Sequence, residues 1–305
     1  MRVFVTGASG HIGSAVVPEL LAGGHTVVGL ARSDTSAAAL VAAGAEVQRG
    51  DLDDLDTLRQ AATATDGVIH IAFKAFTGDM TGAAAADLTV IEAIGSALAG
   101  TDKPFVTTGV TLMLWMGGIT DRPGTEEDVV EGGFRVDSEN ATVALAERGV
   151  RSSVIRLPPF VHSTLDKYGL MPKFIGIARE KGVAGYVGDG ANRWPAIHTL
   201  DAARLYRLAL ESAPAGSRLH AVADDAVPVR EIAEAIGHNL GVPTASIAPE
   251  DAAEHFSSLR FLSPFVSADI PTSNVLTRKW MGWKPTHPGL IADLNDGHYF
   301  DQATA

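Results

Sequence analysis

Three glycines spaced three apart, Gly7, Gly10 and Gly13, follow the apolar run Val3-Phe4-Val5 and lead straight into a helical pattern. Glycine lets backbone amides come close to a pyrophosphate, and the start of a helix adds partial positive charge. Gly7, Ser9, Gly10, His11, Ile12 and Gly13 therefore form a candidate dinucleotide-phosphate site. A glycine triplet alone is weak; the strand before it and the helix after it make it strong.

The second apolar run, Val27-Val28-Gly29-Leu30, ends in Ala31-Arg32-Ser33-Asp34. In a dinucleotide fold this point meets the adenosine ribose, where an acid takes a 2′-hydroxyl and an arginine a 2′-phosphate. No acid stands directly at the strand end. Arg32, with a hydroxyl bond from Ser33, favours NADP(H) over NAD(H); the competing reading has a solvated Arg32 and Asp34 as the ribose acid. Asp51-Leu52 is placed beside the adenine, and Ala72-Phe73 along the cofactor cleft. Asp51, Asp53, Asp54 and Asp56 lack the alternating spacing and central glycine of a calcium loop. They read as the start of a helix, and no metal is expected.

These residues need a frame, and the pattern supplies one. Strand-like runs at 26–30, 46–48, 68–72, 104–107 and 153–157 alternate with helical stretches at 12–21, 36–43, 53–64, 83–98 and 138–147. Such alternation predicts a parallel, doubly wound α/β sheet. After Leu157 the pattern changes. Pro158-Pro159 interrupts it, Gly188-Asp189-Gly190 reads as a hairpin turn, and Gly241-Val242-Pro243 ends a helix begun near Val229. The division predicted is 1–157 for the dinucleotide domain and 158–305 for a smaller substrate-binding region, some of whose segments return to the sheet.

Composition narrows the classes. With 24 Lys and Arg against 36 Asp and Glu, the net charge is −12, which argues against nucleic acid as a partner. The 305 residues include no cysteine, so disulfides and thiol chemistry are excluded. The start breaks into Gly7–Gly13 too early for a signal-peptide core. The uncharged run from Pro104 to Thr120 is shorter than the ~20 residues of a membrane span. A cytoplasmic protein is the expectation.

The residues resemble the extended branch of the short-chain dehydrogenase/reductase superfamily over nearly the whole chain. The likeness lies in Thr6–Gly13, Asp51-Leu52, His70-Ile71-Ala72-Phe73, Arg156-Leu157-Pro158-Pro159-Phe160-Val161-His162 and Gly282-Trp283-Lys284-Pro285. It implies a Rossmann domain, a small C-terminal substrate domain, frequent dimerisation, and nicotinamide chemistry at a sugar or small carbonyl. It also puts Thr107 and Pro158 on the cofactor side.

The chain departs from that family where its catalysis resides. The family pairs a Tyr with a Lys four residues later, helped by a Ser or Thr after the preceding strand. Aligning Ser138 leaves Arg135 in the tyrosine position and Glu139 in the lysine position. The hydroxyl position falls near Gly109, with Thr107, Thr108 and Thr111 as neighbours. Arginine does not give up its proton at neutral pH, but it can meet a developing alkoxide as a fixed cation. Glu139 would pair with it across one helical turn; the same pair on a solvated face would be idle. His162 is a candidate for proton transfer. Tyr168, Arg193, Trp194 and His198 are candidates for the substrate side, although Trp194 reads equally well as core and His198 as a helix entry.

The resulting expectation is an NADP(H)-dependent oxidoreductase of atypical type acting on a small carbonyl or alcohol. Two other readings fit the same residues: a non-catalytic NADP(H)-binding sensor or scaffold, and an epimerase, dehydratase or isomerase.

Overall fold

The apolar runs of the first half lack hydrophilic alternation, so each strand must be covered on both faces, as in a parallel sheet. The computed structural model, which describes residues 1–74 and 79–301 and the backbone alone at 260 and 261, shows that arrangement. In chain order come β1 (Arg2–Thr6), α1 (Gly13–Ala22), β2 (Thr26–Ala31), α2 (Asp34–Ala42), β3 (Glu46–Arg49), α3 (Leu55–Thr63) and β4 (Gly67–His70). Then follow α4 (Met80–Leu98), β5 (Pro104–Val110), α5 (Leu112–Met116), α6 (Val136–Ala144) and β6 (Arg151–Leu157). The second half holds β7 (Phe160–His162), α7 (Leu170–Lys181), β8 (Ala184–Val187), β9 (Arg193–His198), α8 (Thr199–Ser212), β10 (Ser217–His220) and β11 (Asp224–Pro228). It closes with α9 (Val229–Leu240), β12 (Thr244–Ile247), α10 (Ala252–His255), α11 (Val275–Met281) and α12 (Leu290–Asn295).

Seven parallel strands form the main sheet in the order β10-β6-β5-β4-β1-β2-β3. This is the doubly wound, Rossmann-type sheet. Its last strand, β10, comes from the second half, beside β6. One face is covered by α1 and α8, burying Val16, Val17, Leu20, Leu205, Tyr206 and Leu210. The other is covered by α3 and α4 through Leu58, Val90, Ile91, Ile94 and Leu98. Each such side chain contributes about 1.5–3 kcal/mol when fully buried. By length and composition α4 is apolar enough to cross a membrane, yet its apolar stripe is packed on the sheet.

Helix starts follow the side-chain chemistry. Ser33 caps α2 in a reciprocal arrangement with Ser36, Asp54 caps α3, and Asp79 caps α4. The acidic run at 51–56 is thus a helix entry, with Asp56 in the first turn. Helix α9 ends at Gly241.

One expectation fails. Gly188–Gly190 is not the turn of a hairpin, because β8 pairs in parallel with β12 while β9 pairs with β7 and β11. A glycine-rich turn sets a change of direction but not which strands meet. A third core, built on Phe160, Phe174, Trp194 and Phe256, holds the second half together.

Candidate functional site

The three glycines have different jobs. Gly7 adopts φ +70°, and a Cβ there would lie 2.7 Å from the Ala72 amide nitrogen. At Gly13 a Cβ would lie 2.0 Å from the Gly7 carbonyl oxygen, so only glycine lets the loop sit on the helix. Gly10 is the least crowded of the three: a Cβ there would lie 3.3 Å from that same oxygen, a close contact that asks for only a small shift. The loop is tied by Gly10 N–H donating to Gly7 O (3.0 Å) and Ser14 N–H to Gly10 O (2.8 Å). Among the described residues no side chain caps α1, and its first turn carries no acid. The cradle fits a dinucleotide's phosphates.

Around this cradle, Ser9 is exposed and Ile12 packs against the sheet core. The His11 ring turns away to bond Thr199 Oγ1 at 3.0 Å and to face Asp166 at 3.6 Å. Burial, helped by His162, lowers His11 to about 4. Burial raises the neighbouring Asp166 carboxyl to about 6, against hydrogen bonds from Gly169 and Tyr299.

Just beyond β2, Arg32 is exposed. Ser33 does not have a free hydroxyl: it accepts from the Ser36 amide and meets the Ser36 hydroxyl at 3.0 Å. Asp34 is ion-paired with Arg49. Asp51 accepts from the Asp53 amide at 3.0 Å, and Leu52 packs against the core beneath α3. Ala72 donates its amide to Thr6 Oγ1 at 3.4 Å.

Toward β5 lies a buried polar set. Thr107 is turned inward to Thr142 (3.0 Å), so its side chain does not face a cofactor cleft. Thr108 points the other way, half-buried, donating to the His70 carbonyl at 2.9 Å. The Tyr206 hydroxyl lies 2.7 Å from Thr108 Oγ1, and since that proton is already engaged, Tyr206 donates. Burial pushes the Tyr206 phenol up.

Arg135 stands before α6 in the left-handed region, at φ 59° and ψ −15°, a conformation uncommon for a bulky residue. Its guanidinium is buried 4.0 Å over the Phe73 ring and donates from Nη2 to the Thr108 carbonyl at 2.5 Å. The expected Arg135–Glu139 pair is replaced by another. Glu139 holds Arg156 with both oxygens (2.5 and 2.9 Å) and also Arg218 (2.7 Å). Burial raises the Glu139 carboxyl, but these two arginines outweigh it and keep it below its usual range.

Arg135's nearby carboxylate comes instead from Asp87 of α4, at 3.9 Å. Asp87 Oδ1 lies 3.2 Å from His70 Nε2, and His70 Nδ1 lies 2.6 Å from the Thr6 hydroxyl. Burial raises the Asp87 carboxyl, and His70 and Arg135 together more than offset it. Sequence reasoning passed over Asp87, His70 and Tyr206 as site residues. A signal existed for Asp87: it shares a helical stripe with Val90, Ile91, Ile94 and Leu98, where an acid must be paired.

Among the second-half candidates, Trp194 and His198 take the core and helix-entry readings, while His162 and Arg193 are placed differently from the expectation. His162 is fully buried, with Nδ1 2.8 Å from Asp293, and its ring meets His198 edge-on. It faces protein, not an active-site mouth. Trp194 is 1% exposed, donates to the Ala268 carbonyl and packs on Phe160 and Phe174, so it is core. Arg193 lies on the surface in a two-pronged pair with Asp269 (2.7 and 3.0 Å). Tyr168 is 78% exposed. His198 caps α8 and stacks on His287 at 4.7 Å; burial, with His162 next, lowers it to about 4. Pro158 is buried between β6 and β7.

Comparisons with known proteins agree with this architecture. The family model described as NAD dependent epimerase/dehydratase family matches residues 3–97. A Schizosaccharomyces pombe protein of unassigned function is 48% identical over 302 residues, spanning 98% of this chain and 100% of that one. A 2'-dehydrokanamycin reductase from Streptomyces kanamyceticus is 30% identical over 277 residues, 86% of this chain and 74% of that one. Among solved structures, a dTDP-glucose 4,6-dehydratase from Streptomyces venezuelae with NAD bound superposes with a TM-score of 0.76. It is 20% identical and covers 99% of this chain and 98% of that one, a likeness of fold.

Proposed function

Because the chain belongs to the NAD dependent epimerase/dehydratase family, we propose that it is an NADP(H)-dependent oxidoreductase interconverting a small carbonyl and its alcohol. The observation that carries this reading is one shared sheet edge. The glycine cradle after β1 and the Thr108–Arg135 pair at the C-terminal part of β5 lie toward the carboxyl ends of parallel strands, where ligands of such sheets bind. The Streptomyces relative, a 2'-dehydrokanamycin reductase, supports it.

In this reading the amides of Gly7–Gly13 hold the pyrophosphate, and Arg32 meets the 2′-phosphate. The backbone at Ala72 and the Phe73 ring line the cleft. When bound, the nicotinamide supplies or takes up the hydride. Thr108 Oγ1, whose one proton goes to the His70 carbonyl, is left to accept from the hydroxyl of the alcohol form of the substrate. Arg135 opposes the negative charge that develops there, in a setting where burial strengthens the effect. Arginine keeps its own proton at neutral pH, so the proton comes from water.

The test is turnover. Protein mixed with NADPH and a panel of aldehydes, ketones and diketones should consume absorbance at about 340 nm. Tight NADPH binding with no consumption across the panel would instead favour a non-catalytic binding protein.

A further inference from the structure

The charge at the β5 side of the cleft is set by Arg135 and the buried residues around it. Arg135 is a buried cation whose α6 neighbour Glu139 is committed to Arg156 and Arg218. Asp87 is 5% exposed and 3.9 Å from Arg135 Nη2. One Asp87 oxygen is held by His70; the other, Oδ2, has no hydrogen-bond partner among the described residues, nor has Arg135 Nε. Since an ionised carboxylate only accepts, His70 Nε2 carries the proton between them. A chain of contacts therefore runs from the Ala72 amide through Thr6, His70 and Asp87 to Arg135.

Strand order gives this chain its relation to the cofactor. Arg32 lies beyond β2, on one side of the β1 cradle, whereas β4 and β5 lie on the other. Adjacent strands are about 4.8 Å apart, so β5 stands roughly 10 Å from the cradle. A dinucleotide whose pyrophosphate rests at β1 and whose adenosine points to Arg32 sends its other half toward Phe73, Thr108 and Arg135. The oxidised nicotinamide ring is a cation and the reduced ring is neutral.

We propose that Asp87, held by His70, is a positioning residue and counter-ion for Arg135, and that this pair sets how strongly the site distinguishes oxidised from reduced cofactor. The inference rests on the cofactor reading above. With Asp87 present the cation of Arg135 is partly balanced, and the oxidised ring is tolerated. Without Asp87 an unbalanced cation repels that ring and leaves the reduced ring unaffected.

Dissociation constants for NADP+ and NADPH, measured by calorimetry on the full chain, test this without turnover. In Asp87→Asn the NADP+/NADPH ratio should rise about fivefold or more over the wild type, as expected for an uncompensated charge within ~10 Å. Arg135→Met should lower the ratio by a similar factor. Asp87→Glu should restore it to within about twofold, as a retained charge requires. Circular dichroism checks each fold; should Asp87→Asn not fold, Arg135→Met carries the test alone. An unmoved ratio in folded variants, or an equal loss of both forms, would overturn the inference and leave Asp87 a packing residue. Wild-type protein that binds neither form would overturn the cofactor reading, and this inference with it.

Discussion

Glu139 on α6 and Arg156 on β6 form a buried two-pronged ion pair, at 2.5 and 2.9 Å, that fastens the helix to the sheet. The same guanidinium donates to the Asp128 and Thr125 carbonyls and meets His220, so one arginine ties α6, the loop before it and β10 together. Removing one partner of such a pair strands the other charge in the interior. Glu139→Gln should therefore cost about 3–5 kcal/mol in urea unfolding. A loss below about 1 kcal/mol would show that the pair contributes little.

The cradle makes a sharp contrast between two alanines. Gly13→Ala puts a methyl group 2.0 Å from the Gly7 oxygen, so both stability and NADPH binding should fall. Gly10→Ala meets nothing closer than 3.3 Å, so the fold should survive while binding weakens. Thermal melts beside fluorescence titrations read both effects. Equal behaviour of the two variants would contradict the separate roles assigned to these glycines.

In the proposed reading, cofactor choice turns on Arg32. With Ser33 engaged at the start of α2 and Asp34 paired to Arg49, Arg32 would meet a 2′-phosphate without help from either. Arg32→Asp should weaken NADPH by about 1.5–3 kcal/mol, the range of a hydrogen bond to a charged group, and NADH far less. Parallel losses for the two cofactors would remove Arg32 from the pocket.

Asp166 gives a pH signature with a definite sign. Its carboxyl sits at about 6 in the folded protein, against about 4 when unfolded. Protonation thus favours the fold: its contribution is complete below about pH 4 and is lost as pH rises through 6. Asp166→Asn should raise stability at pH 7.5 by about 1–3 kcal/mol and change it little near pH 4. His11 and His198, held at about 4, act oppositely, destabilising the fold as pH falls below about 6.5. Melting the wild type and the variant side by side isolates Asp166. Equal stabilities at pH 7.5 would refute the assignment.

The sheet was legible because its strands are continuous apolar runs and its helices alternate with them. The cradle was legible because three glycines at fixed spacing have few other uses. Side-chain partners were not, since pairing depends on residues far apart in sequence. Glu139 has Arg135 one turn away, yet it binds arginines 17 and 79 positions distant. His162 suits proton transfer by residue type, but Asp293, 131 positions on, buries it in a structural bond. Trp194 reads equally as pocket wall or core until Phe160 and Phe174 close over it. Asp87 alone left a local trace, an acid on an apolar stripe.

Strand β10 enters the sheet from residues 217–220, long after β6 has been laid down. A polypeptide stopped at Leu157 would leave β6 with a bare flank and α1 stripped of its α8 cover. Such a piece invites strand addition by its own copies. The amino-terminal half made alone should therefore precipitate, and a split-reporter version of this chain would need its cut elsewhere.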